Sequence, residues 1–238
     1  MASQEINSTT LKNDANLRAY YRFESNVNDT SSDAYNLTAS GSPTYGTGQF
    51  SNAIQLATAS SQYASIVDAS CANLKITGNL TLYGWIKPTD HAQINFLCSK
   101  VNNANQGYQL YHNTSLKAQF TFSGLTTNTT VISSTSLTDG VWTFVVGTYD
   151  SSAQKLTIYL NGVQDNQVSA SGTGDNNTVP FAVGCSFQGG GDTAAGFANA
   201  ALDDVAVFDR ALSATDILAL YNGTYGLITG KKDYAFFL

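Results

Sequence analysis

Two stretches of the chain gather carboxylates and amide oxygens densely enough to do chemistry. Glu24 to Gly48 carries Glu24, Asn26, Asn28, Asp29, Asp33 and Asn36 in a run with neither strand nor helix periodicity. A loop of that length is uncommon in a compact domain unless it has a job. Its oxygen donors suit a hard cation such as Ca²⁺, which takes carboxylates and backbone carbonyls together. The same Asn, Asp, Ser and Gly residues are equally good turn formers. The second stretch is the pair Asp203-Asp204 at the head of an apolar run, where a carboxylate is either a metal ligand or a solvated strand end.

Catalytic patterns are harder to find. Glycoside hydrolysis needs two acids about 5–10 Å apart on one face of neighbouring strands. Glu5 and Glu24 are the only glutamates, the aspartates fall mainly in turns, and no run of alternating acids occurs. His91 and His112 have no Ser or Cys arrangement that suggests a triad, and both read as surface residues. The glycines at 189–191 lack the strand-and-helix context and the following Lys of a phosphate cradle. Cys71, Cys98 and Cys185 are odd in number, without metal-type spacing, and read as buried free thiols. No enzymatic activity is expected.

Sugar recognition asks for something simpler: exposed aromatic rings for stacking, with amides and hydroxyls around them. Tyr45, Tyr63, Tyr111 and His112 are the candidates, with Asn102, Asn103, Asn105 and Gln106 in a neighbouring loop. Trp85 and Trp142 are assigned to the core.

The elements that must position these residues read almost entirely as short strands. Leu17 to Phe23 alternates, with Leu17, Ala19, Tyr21 and Phe23 on one face. Tyr63 to Val67, Leu80 to Ile86 and Leu116 to Phe122 are further strands, and Ile94 to Val101 pairs with Gln106 to His112 across VNNANQG. Asn161-Gly162, between two extended runs, is a strong hairpin signal because both turn residues need positive φ. The closing segment, Asn199 to Gly223, reads as a strand, a turn and one helix. Leu202, Ala206 and Phe208 fall on one side of that strand and Val205 and Val207 on the other. Ser213 and Asp216 form a capping box, Ile217, Leu218, Leu220 and Tyr221 an apolar stripe, and Gly223 a left-handed stop.

Composition narrows the partners. Only 12 % of the 238 residues are charged, the net charge is −6, and aromatics reach 11 %. With no Lys/Arg cluster, a nucleic-acid partner is excluded. No stretch is long and apolar enough to insert into a membrane. The amino end carries no secretory signal pattern. One domain is expected at residues 16–226, preceded by a polar lead-in (1–15) and followed by an apolar tail (227–238) with Tyr234, Phe236, Phe237 and Leu238, which is either a last strand tucked onto its own sheet or an anchor for a partner.

Five blocks in order resemble the concanavalin A-like, laminin-G-like jelly rolls: LRAYYRFESNVNDTSS, GQFSNAIQL, NLTLYGWIKP, GVWTFVVGTYDSSAQKLTIYLNGV and ALDDVAVFDRALSATDILALYNG. The resemblance covers roughly residues 17 to 225. It implies an all-β, two-sheet antiparallel jelly-roll sandwich with one short C-terminal helix. It also implies a structural Ca²⁺ near the rim, joining the first loop to the closing strand. Carried over by motif, Asp29 and Asp203 are the carboxylate ligands, Asn26 and Glu24 further candidates, and loop carbonyls complete the shell. Asp203 and Asp204 alternate along a strand, so one reaches the ion; Asp203 is chosen and Asp204 is the fallback.

The function expected is a non-catalytic recognition or adhesion module for a glycan or glycoprotein surface. The alternative is a structural decoration protein on a virion or surface layer, anchored to a particle or capsid protein through the tail. Either reading places it outside the cell or on a virion surface.

Overall fold

The computed structural model describes residue 11 and residues 13–190 and 192–224, so the apolar tail and most of the lead-in lie outside the described residues. The strands in chain order are β1 Leu17–Tyr21, β2 Thr38–Ser40, β3 Thr44–Thr47, β4 Asn52–Leu56, β5 Tyr63–Ile66, β6 Leu80–Pro88, β7 Asn95–Val101 and β8 Gly107–His112. They continue with β9 Lys117–Phe122, β10 Thr130–Ser136, β11 Thr143–Asp150, β12 Lys155–Leu160, β13 Val163–Ser169, β14 Phe181–Val183, β15 Ser186–Gly189, β16 Thr193–Ala195 and β17 Ala200–Phe208. Helix α1, Ala214–Tyr221, follows β17.

Two antiparallel sheets form the jelly-roll sandwich. The first runs β13-β12-β11-β6-β17-β4-β3, with β1 also paired to β17; the second runs β10-β9-β8-β7-β14-β5-β2. Alternation drives their association. Ala118, Phe120 and Phe122 of β9 face Leu156 and Ile158 of β12 and Val145 of β11 through one continuous buried core. The loop expected to be irregular between Glu24 and Gly48 contains the two short edge strands β2 and β3. Their Thr/Ser-rich sequence gives little apolar periodicity, which is why they escape a reading by pattern.

The two outer faces differ. That of the first sheet is covered: Tyr20, Trp85, Phe144 and Phe208 pack against Ile217, Ala219 and Leu220 of α1. The helix starts where its capping box predicts, with Ser213 Oγ accepting from Asp216 N–H and Asp216 accepting from Ser213 N–H. Burying Ile217 and Leu220 stabilises this contact by about 2 kcal/mol each. Leu218, expected in the buried stripe, is instead exposed. The assignment of Trp85 to the core holds, and Trp142 packs at its margin. The Asn161-Gly162 turn joins β12 to β13 with φ of 50° and 81°.

Among the described residues, the second sheet's outer face is covered only in part. The β15–β16 hairpin lies over β14 and β5, where Phe187 and Phe197 enclose Tyr63 and Ala182. All three cysteines are buried and unpaired, and burial pushes the Cys185 thiol up to about 12 and that of Cys98 well up.

The β17 strand departs from simple alternation. Ala200–Leu202 pair with β4 and Val205–Phe208 with β1, while β6 runs along the other side of both. At the change of neighbour, one extra residue enters between Asp203 and Ala206, and Asp204 takes a left-handed φ of 48°. Leu202 therefore joins Val205 and Val207 in the core between the sheets, and not Ala206 and Phe208 as alternation predicts.

Candidate functional site

The bulge sets the chemistry of the rim. An inserted residue breaks the alternation that would send Asp203 and Asp204 to opposite faces. Asp203 Oδ2 accepts from Phe50 N–H at 2.9 Å, and Asp204 Oδ1 accepts from the Tyr20 hydroxyl at 2.7 Å. Phe50 and Tyr20 both belong to the outer cluster, so both carboxylates reach partners on that side. Burial pushes the Asp203 carboxyl up to about 8, reinforced by the like charges of Asp204 and Glu24. Its Oδ1 is buried without a protein partner among the described residues.

Gly48 marks how closely the loop approaches. A Cβ there would lie 2.6 Å from Asp203 Oδ2 and 2.9 Å from the Asn52 carbonyl oxygen, so only glycine fits. Glu24 Oε2 accepts from Asn52 N–H at 3.1 Å, tying the same turn to the first loop. Asp203, Glu24 and the Asn52 carbonyl thus gather around one turn.

Asp29 is occupied differently. Its Oδ1 accepts from the N–H groups of Tyr20 (2.9 Å) and Ser31 (2.8 Å), and its Oδ2 from the Ser31 hydroxyl and Tyr35 N–H, both at 2.8 Å. It is the internal hub of the first loop. Asn26 is an exposed turn former, its Oδ1 accepting from Asn28 N–H and its Nδ2 donating to the Glu24 carbonyl. Among the described residues no three His, Cys, Asp or Glu side chains converge as a metal cage, so an ion at Asp203 and Glu24 would need loop carbonyls in its shell.

The second arrangement is the outer face of the second sheet. Tyr108 and Leu110 of β8 point into the core, so Gln109 and Tyr111 point out. By the same rule Gln119 and Thr121 of β9 point out, and the register sets Tyr111 opposite Gln119 and Gln109 opposite Thr121. Exposure rises in steps from β7 to β10: Phe96 and Ser99 are buried, Gln109 and Tyr111 are each 7 % exposed, Gln119, Thr121 and Thr130 are half-buried, and Ile132 is exposed. The Phe96 and Tyr111 rings lie 5.3 Å apart. Gln109 Oε1 is buried with no protein partner.

The turn Asn102–Gln106 stands beside this step and is braced by the hairpin. Asn103 N–H donates to Asp192 Oδ1 at 2.7 Å and Gln188 Nε2 to Asn105 Oδ1 at 2.5 Å. Inside the turn, Asn102 Oδ1 accepts from the N–H groups of Ala104 and Gln106. Of the residues expected to meet a ligand, Tyr63, Asn102, Asn103, Asn105, Gln106 and Tyr111 therefore belong to one face. Tyr63 lies beneath the hairpin there, its ring 5.7 Å from that of Phe197.

The other two do not join them. Tyr45 lies on β3, at the edge of the opposite sheet, packed against the core. His112 is fully buried, not the surface residue expected, because it continues the inward series of Tyr108 and Leu110. Its Nδ1 lies 3.3 Å from Asn95 Nδ2, and burial pulls its pKa down. Gln109, Gln119 and Thr121 were missed in the sequence. Only their alternation with apolar neighbours hints at them, and which strands they share is set by register.

Comparison with known proteins places the fold. The binding domain of Paraclostridial Mosquitocidal Protein 1 superposes with a TM-score of 0.69 at 18 % identity, covering 89 % of this chain and 52 % of that one. Domain 4 of AbnA, a GH43 extracellular arabinanase from Geobacillus stearothermophilus solved in complex with arabinotriose, gives 0.63 at 15 % identity, covering 86 % and 98 %. The binding domain of botulinum neurotoxin DC in complex with SialylT gives 0.64 at 14 % identity, covering 91 % and 53 %. The chain thus spans about half the length of the toxin domains it matches. No curated protein matches by sequence. Among the described residues no helix is long and apolar enough to cross a membrane. The family described as the Concanavalin A-like lectin/glucanases superfamily matches residues 58–218, more than half of the chain, and to that family the protein belongs.

Proposed function

We propose that this protein is a non-catalytic recognition module that binds carbohydrate on the outer face of β8–β10. The observation that carries this is Gln109, an amide whose buried oxygen lacks a partner beside the Tyr111 ring, on the sheet face that no helix covers among the described residues. A ring, two amides and a threonine hydroxyl in one patch supply stacking and hydrogen bonds to a sugar. The outward positions of β8 and β9 carry no carboxylate, which leaves this face without the acid pair of a glycosidase. Structural neighbours solved with arabinotriose and with SialylT support a glycan ligand, and the toxin binding domains support a place outside the cell.

A structural Ca²⁺ at the rim belongs to the same proposal. Asp203 Oδ1, Glu24 and loop carbonyls would hold it, and its charge would offset the repulsion among Asp203, Asp204 and Glu24. Its role is to pin the first loop to β17.

A glycan array probed with multimerised protein, in calcium and in EDTA, tests this reading. Binding is expected in calcium, with at least a tenfold loss in Tyr111→Ala, the scale of one lost stacking contact. Silence in both conditions would sink the carbohydrate reading and favour a decoration protein attached through the carboxyl-terminal tail.

A further inference from the structure

We infer that the glycan accepted by this face is neutral, and that sugars carrying a carboxylate are rejected; the inference rests on the carbohydrate reading above. Hydrogen-bonding groups on this face suit hydroxyls. The Gln109 amide oxygen is buried without a partner among the described residues. A sugar hydroxyl both donates and accepts, so it can pair with either end of an amide. Gln119 is oriented by its neighbour: Asn113 Nδ2 donates to its Oε1 at 3.1 Å, which leaves the NH₂ as the end open to a ligand. The Thr121 and Thr130 hydroxyls lie 3.1 Å apart and extend the same pattern of mixed donors and acceptors. Uncharged groups of this kind match hydroxyls one for one.

Charge separates the two classes of sugar. Tyr63, Phe96, Ser99, Gln109 and Tyr111, then Gln119, Thr121, Thr130 and Ile132, line the outward side of five strands, where Lys117, in the row of Gln119 and Thr121, is the one ionisable group other than tyrosine among the described residues. The cations on these strands are Lys100 of β7, buried and paired with Asp68, and Lys117 at the start of β9, whose ammonium is tied to the Ser134 carbonyl. The carboxylates flanking the face are Asp192, on the hairpin side, and Asp165, which holds the backbone of Ser134 and Thr135 at the β10 edge. A carboxylate brought onto Gln109 and Tyr111 would lose water without gaining a cation, between two acids of its own sign. The net charge of −6 adds repulsion at longer range. A neutral oligosaccharide meets none of these costs.

Titration calorimetry with matched pairs tests this: a neutral oligosaccharide that binds, and the same oligosaccharide bearing one sialic or uronic acid. The neutral member is expected to bind at least about tenfold more tightly, with affinity unchanged between low and physiological salt, since no ion pair forms. Gln109→Ala should weaken the neutral member. Thr121→Lys, at a half-buried position that a long side chain can leave, should raise affinity for the acidic member and make it salt-sensitive. Equal or tighter binding of the acidic member by the unaltered protein would overturn the inference while leaving carbohydrate recognition intact. Failure of both members, and of every array glycan, would remove the underlying reading itself.

Discussion

Asp29 and Asp203 make an instructive pair. Both are acidic, both are buried, and both stand in motifs that suggest a shared metal. Asp29 accepts from four protein donors, three of them backbone N–H groups, and so holds its loop alone. Asp203 accepts from the Phe50 N–H, keeps an oxygen without a partner among the described residues, and lies near the carboxylates of Asp204 and of Glu24, the latter 3.4 Å from Arg22. A carboxylate surrounded by donors is already neutralised by its own fold. One with few donors and like charges nearby is costly as an anion until positive charge approaches it. The count of donors, more than the presence of an acid, separates a structural hub from a place for an ion.

The largest test of that contrast is Asp29→Ala. It strands several buried N–H groups and should destabilise the protein by about 3–5 kcal/mol. The loss in melting temperature should be the same in calcium and in EDTA; a loss present only in calcium would return Asp29 to the ion. Asp203→Asn should act in the opposite direction. It keeps an acceptor for Phe50 and removes a repelled buried charge, so the calcium-free protein should gain on the order of 2 kcal/mol at pH 8. The melting shift on adding calcium should vanish with it.

Titration supplies a third test, with two groups of opposite sign. The Asp203 carboxyl, held near 8 when folded against about 3.9 unfolded, binds its proton more tightly in the native state. Without calcium its contribution is therefore lost as pH rises from about 4 towards 8. His112 is buried and its pKa pulled down, so its contribution is lost as pH falls through the unfolded histidine value of about 6.5. Between about pH 4 and 6.5 the two slopes oppose each other, while above 6.5 that of Asp203 stands alone, and Asp203→Asn should flatten it there. The smallest effect is expected from Asn26→Ala, a few tenths of a kcal/mol for an exposed turn. Its calcium response should be unchanged; a lost response would make Asn26 a ligand.

What could be read in the sequence was whatever chemistry is local. The capping box of Ser213 and Asp216 and the Asn161-Gly162 turn are legible because partners lie within a few residues. The family was legible because its blocks keep their order. The bulge in β17 was not. Aspartate tolerates positive φ without announcing it, and one inserted residue moved Leu202 to the other face and brought two acids to the same side. His112 could have been placed from the alternation of Tyr108 and Leu110. Gln109 and Gln119 could not, since ordinary polar residues gain meaning only when the β8–β9 register sets the two rows side by side.

The outermost strand of the second sheet has a consequence for the protein in company. Along the free edge of β10, Asp165 accepts from the Ser134 and Thr135 N–H groups, and Asn166 Nδ2 donates to the Ile132 carbonyl at 2.8 Å. These are the backbone groups through which a second chain would add a strand, and side chains of β13 already occupy them. Copies crowded together in a dense array are thereby denied a route to fibre growth at this edge.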